Sequence, residues 1–77
     1  MSKKHIEDSV EQSLQTYFKD LNGTAPAGIY DMMLQAVEKP MLVFVMHQAD
    51  GNQSKAAEWL GLNRNTLRKK LIENGLA

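Results

Sequence analysis

The residues of this chain best suited to surface chemistry lie in its last third, GNQSKAAEWLGLNRNTLRKKLIENGLA, from Gly51 to Ala77. Four cations, Arg64, Arg68, Lys69 and Lys70, crowd into one short stretch there. Ala57, Gly61 and Leu67 are spaced as the frame of a helix-turn-helix. Ala57 is small where two helices must touch. Gly61 can take the positive φ of the turn between them. Leu67 is apolar where the second helix seats on the first. The second helix then carries the cations, and the partner this pattern points to is double-stranded DNA.

On a helical wheel Leu67 and Leu71 mark the inward face of that last helix. Asn65, Lys69, Ile72 and Glu73 point away from it, with Thr66 and Arg68 on the flanks. Recognition helices place their N-terminal residues at base edges in the major groove. Arg64, in the first turn, can donate two hydrogen bonds to guanine O6 and N7, worth about 1–3 kcal/mol of discrimination. Asn63 and Lys69 join it as candidate base contacts. Asn52, Gln53 and Ser54 open the preceding helix, where free backbone N–H groups and the helix dipole favour an anion. Together with Thr66, Arg68 and Lys70 they are the candidate phosphate contacts, which set register without reading sequence. The plainer reading of Arg68, Lys69 and Lys70 is a solvated cationic helix end favoured by the dipole. Arg64 sits at the opposite end, where the dipole disfavours a cation, so the functional reading is stronger there.

The formal net charge of the 77 residues is zero, which conceals a division. Met1 to Asp50 holds four lysines against seven acids, and Gly51 to Ala77 holds five bases against two acids. An acidic body carrying a basic reader is expected. There is no cysteine, hence no disulfide and no thiolate metal site. His5 and His47 lack ligand spacing. No cofactor and no metal are expected. No carboxylate pair, Gly-rich phosphate loop or Ser/His/Asp set stands out, and no enzyme is expected. The polar N-terminus MSKKHIEDSV is not a signal peptide, and no stretch approaches the roughly 20 apolar residues of a membrane span. A cytoplasmic protein with no membrane partner is expected.

Elements able to position these residues follow from periodicity. Ile6, Val10, Leu14, Tyr17, Phe18 and Leu21 predict a helix over about residues 5–21, its acids Glu7, Asp8 and Glu11 placed to suit the dipole. Asn22-Gly23 ends it, and residues 23–28 form a loop. A second helix is expected over about 27–48, with Pro40 kinking it; two helices broken near Lys39 are the alternative. After Val37 its apolar residues spread round most of the circumference, so it must be buried on several sides. So short a chain has few surfaces to offer, and a second copy supplies the missing one. An obligate homodimer is therefore expected, with Val37, Met41, Leu42, Phe44 and Val45 at its interface. An ordinary central core helix is the alternative. Asn52 should cap a third helix over about 53–60. Asn63 should cap a fourth over about 64–74, stopped by Gly75. Trp59 is expected to pack between helices, and His47 to lie at the surface or the interface. The fold class is all-α: one four-helix domain, residues 1–77, with dimerisation helices over about 5–49 and the helix-turn-helix over about 50–77.

The segment GNQSKAAEWLGLNRNTLRKKL, Gly51 to Leu71, resembles the C-terminal signature of the Fis family of bacterial DNA-bending, nucleoid-associated proteins. The resemblance extends through DSVEQSLQTYFKDLNG, Asp8 to Gly23, and the EKP segment, Glu38 to Pro40. It implies an intertwined four-helix homodimer with recognition helices closer together than one DNA turn. DNA must then bend, and specificity comes largely from A/T-rich deformability between the half-sites. It implies Asn63, Arg64 and Lys69 at bases, and Asn52, Gln53, Ser54, Thr66, Arg68 and Lys70 at phosphates. Transcriptional regulation in the nucleoid follows, with RNA polymerase a candidate partner. The alternatives are an accessory factor for site-specific recombination, contacting a recombinase through Met1 to Ile6, and a helical dimerisation or adaptor module without DNA binding. Family members that stimulate recombinases carry a mobile N-terminal arm, for which this chain leaves little room before its first helix. Asp50, Ile72 and Glu73 stand where the enteric proteins have basic residues, which implies weaker DNA binding here.

Overall fold

The computed structural model describes residues 2–77. Four helices follow one another: α1 Lys3–Leu21, α2 Ile29–Gln48, α3 Gln53–Leu60 and α4 Arg64–Glu73. Among the described residues there is no strand, and the fold is all-α. Among the described residues no helix is long and apolar enough to cross a membrane.

Ser2 starts α1 slightly earlier than the apolar period suggested. Its Oγ accepts the backbone N–H of His5 at 3.2 Å, the usual work of an N-cap serine. The first turn therefore carries Lys3 and Lys4 and no acid. Glu7, Asp8 and Glu11, expected at the positive end of the dipole, fall in later turns, where its influence fades. Of the stretch Met1 to Ile6 considered for a recombinase contact, Met1 lies outside the described residues and Lys3 to Ile6 form this first turn. Asn22, with φ 50° and ψ 50°, closes the helix. Helix α2 begins at Ile29 instead of near Ala27 because Gly28 takes φ 66°, outside the right-handed region. It runs unbroken through Pro40, so the one-helix expectation holds over the two-helix one.

Helix α2 ends in a left-handed turn. Gly51 N–H donates to the Met46 carbonyl at 3.0 Å and Asp50 N–H to that of His47 at 3.1 Å, the paired bonds of a Schellman cap. The left-handed position belongs to Asp50, at φ 58°. A residue with a Cβ pays strain there, and its carboxylate sits at the negative end of the dipole. Glycine holds the matching position after α3 and α4, where Leu62 N–H reaches Ala57 O at 2.9 Å and Leu76 N–H reaches Leu71 O at 2.7 Å.

The buried core is Leu42, Ala49, Ala56, Ala57, Leu67 and Leu71, with Val45, Met46, Leu60 and Leu76 packed against it. It lies wholly among the second half of α2, α3 and α4. Helix α1 buries no residue. The molecule is correspondingly elongated, 45 × 27 × 17 Å, with a radius of gyration of 15.1 Å, against about 11.5 Å for a compact domain of this length. It exposes 6176 Å², against about 4,700 Å² for a compact monomer of its mass.

Leu42 corrects one expectation. It was placed at an interface with a second chain, but it is fully buried within its own. Val45 is half-buried beside it. Their side of α2 is the one the helix-turn-helix covers. With Val43 exposed apart from them, five exposed apolar residues line another side: Tyr30 (76% exposed), Leu34, Val37, Met41 and Phe44 (63%). Their spacing alternates four, three, four and three, the repeat of a coiled-coil seam. Replacing Asp50 by Asn removes the misplaced charge and suits the left-handed turn better. Asp50→Asn should raise stability by about 0.5–1 kcal/mol, read as a higher urea midpoint; a lower midpoint would contradict the strain assigned to this cap.

Candidate nucleic-acid interface

The helix-turn-helix is built from local chemistry. The Asn52 side chain accepts Lys55 N–H at 3.0 Å and starts α3. The Asn63 side chain accepts Asn65 N–H at 2.8 Å and starts α4. Gly61, at φ 75°, turns the chain between them. Ala56 and Ala57 are buried on α3, Leu67 and Leu71 on α4, so small residues on one helix admit large ones from the other. The roles foreseen for Ala57, Gly61 and Leu67 are the ones they fill.

With Leu67 and Leu71 facing inward, α4 turns its remaining surface to solvent. Arg64, Asn65, Thr66, Arg68, Lys69, Ile72 and Glu73 are all exposed. Asn63 is exposed ahead of them, its Oδ1 engaged in the cap, which does not use its amide N–H groups. At the head of α3, Asn52 and Ser54 are exposed and Gln53 is half-buried. Among the described residues the one ion pair is Lys70–Glu38, so Arg64, Arg68 and Lys69 present uncompensated charge.

Lys70 departs from the pattern read in the sequence. Its ammonium lies 3.0 Å from Glu38 Oε2, turned toward α2 and away from the outer face. The Asn74 side-chain amide donates to Glu38 Oε1 at 3.0 Å and to the Lys70 carbonyl at 2.8 Å. Glu38 and Asn74 were missed, although a signal existed. Glu38 lies four residues before Leu42, hence on the same face of α2, and Lys70 lies three residues after Leu67. Trp59 differs too: it is 56% exposed on α3 and not wedged between helices. The inner face of α3 is alanine, too close to its neighbours for an indole, and the Lys55 ammonium sits 5.9 Å from the ring centre instead.

Residues 33–73 match the family described as "Bacterial regulatory protein, Fis family". Over 71 residues the chain is 66% identical to a Fis-like DNA-binding protein of Neisseria meningitidis serogroup A, covering 92% of this chain and 90% of that protein. The chain belongs to the Fis family. It is also 55% identical over 76 residues to a Fis-like DNA-binding protein of Ralstonia nicotianae, covering 99% of each. It is 45% identical over 76 residues to the DNA-binding protein Fis of Proteus mirabilis, covering 99% of this chain and 78% of that protein. These likenesses reach across α1 and α2 as well as the helix-turn-helix, as the resemblance noted in the sequence implied.

The ion pair of this Fis-family chain has a pH signature. The hydrogen bond from Lys70, then that from Asn74, holds the Glu38 carboxyl below the usual glutamate range. The same bond and the Glu38 charge raise the Lys70 ammonium. A depressed carboxyl adds stability above its unfolded pKa and loses it as pH falls through the folded value. A raised ammonium adds stability below its unfolded pKa and loses it as pH rises through the folded value. The pair is thus complete across neutral pH and fails first in acid when pH is lowered. Thermal melts of Glu38→Gln should lose less stability than the native protein between about pH 6 and about pH 3; identical acid sensitivity would show that the pair does not contribute.

Proposed function

We propose that this Fis-family chain is a sequence-tolerant, DNA-binding homodimer that bends DNA and regulates transcription in the nucleoid. The observation that carries the reading is the division of α4 into two sides. One is buried on Leu67 and Leu71, and the other carries exposed, unpaired Arg68 and Lys69, with Arg64 exposed and unpaired at the start of the helix. A helix held that way can enter the major groove without disturbing its core. Asn63, Arg64 and Lys69 then address base edges, with Asn63 using its amide donors. Asn52, Gln53, Ser54, Thr66 and Arg68 hold phosphates and set register.

The homodimer is supported by the surface left open. The excess over a compact monomer is roughly 1,450 Å² per chain. Two such chains covering each other's excess would bury about 2,900 Å², within the range of obligate dimers. The Tyr30, Leu34, Val37, Met41 and Phe44 seam supplies an apolar stripe of the right period. Bending rests on the family resemblance, with two readers closer than one turn and an A/T-rich centre that deforms readily. RNA polymerase is a partner of the bent complex, reached by bringing upstream DNA to it or by excluding it from a promoter.

Binding should be stronger to a duplex with an A/T-rich centre than to one with a G/C-rich centre, and should fall steeply as salt rises. Equal binding to both would remove shape readout, and no salt-dependent binding would favour the adaptor reading. Arg64→Ala should cost about 1–3 kcal/mol on a preferred site and flatten the preference among sites. Arg68→Ala should weaken all duplexes alike and reduce the salt dependence. Equal losses from both variants on preferred and random DNA would contradict this division of labour.

A further inference from the structure

Among the described residues, the two side-chain hydrogen bonds that span the greatest distance along the chain converge on one carboxylate. Glu38, mid-way along α2, receives Lys70 on Oε2 and Asn74 on Oε1, each at 3.0 Å. Lys70 lies in the last turn of α4, and Asn74, its C-cap, also closes that turn by donating to the Lys70 carbonyl. Helix α2 also carries the outward apolar seam, so this clamp ties the reader to the frame that sets its orientation.

We propose that Glu38 is a positioning residue that withholds Lys70 from DNA and fixes the C-terminal end of α4 on α2. The inference rests on the DNA-binding reading above and revises the part Lys70 plays in it. Lys70 occupies the side of α4 next to Leu67, while Asn65 and Lys69 lie across the helix from it. To reach a phosphate it must leave Glu38. That would leave a half-buried carboxylate with Asn74 as its remaining donor at the negative end of α4, where an anion is disfavoured. No comparable cost attends Arg68 or Lys69, which have no acidic partner among the described residues. A cation that looks like part of the DNA-binding run in sequence therefore acts as an internal tie, and each subunit grips DNA with one cation fewer than the run suggests.

Salt dependence distinguishes a phosphate contact from a structural tie. Each contact to B-DNA adds about 0.9 to the slope of log K against log salt, so a change in both subunits of a dimer adds close to two. Binding of the native chain, Lys70→Met, Glu38→Gln and the double variant would be measured on one duplex with an A/T-rich centre across a salt series. Helicity would be recorded for each. Lys70→Met should leave the slope unchanged. Glu38→Gln should steepen it by about two as the released ammonium finds a phosphate, and adding Lys70→Met should return it to the native value. Glu38→Gln keeps the shape and hydrogen-bonding capacity of the side chain, so its slope decides the matter even if Lys70→Met folds poorly. A slope lowered by Lys70→Met, or unchanged by Glu38→Gln, would overturn the proposal while native binding left the DNA reading standing. A native protein with no salt-dependent binding would remove both.

Discussion

Helix α2 has two apolar faces, and the buried core forms on one of them. Leu42, Met46 and Ala49 lie on the face that meets α3 and α4, and the six buried residues among those described gather there. A second face, from Tyr30 to Phe44, stays largely exposed along the heptad-spaced seam, with Ile6 and Val10 of α1 beside Val37. The helix-turn-helix depends on the first face, because α3 and α4 are too short to persist alone in water. The extended shape and the large exposed area follow from the second.

The same helix organises the electrostatics. A neutral chain is an unpromising ligand for a polyanion, but its charges are sorted, with acids concentrated toward α1 and α2 and bases on α4. Glu38 is the acid of α2 that crosses this division, and it takes Lys70 with it. The cations left to solvent on α4 are those on the sides turned away from α2. Capping completes the arrangement, since exposed Asn52 and Asn63 bind backbone N–H groups through Oδ1 and the caps do not use their amide donors. One residue type thereby starts each helix and still offers a donor at the surface.

Much of this architecture was legible because its determinants are local. The caps at Asn52 and Asn63, the turn at Gly61 and the inward Leu67 and Leu71 each depend on neighbours within a few residues. Helix boundaries slipped by a residue or two where a serine cap and a left-handed glycine outweighed the apolar period. The larger misreadings concern residues whose surroundings come from far along the chain. Leu42 reads like Val37 or Met41 in a continuous apolar stretch, and nothing nearby says which faces its own chain. Trp59 is large and apolar, yet the close approach allowed by Ala56 and Ala57 keeps it outside.

The four helices, the helix-turn-helix and the presence of a cationic surface on the last helix follow from local sequence, because periodicity, capping and turn chemistry act over one or two turns of chain. Which cations remain at that surface, and which face of α2 remains uncovered, was decided only by the tertiary structure. Both depend on the rotation of α2 against α4, and that rotation places Glu38 within 3.0 Å of a lysine 32 residues away.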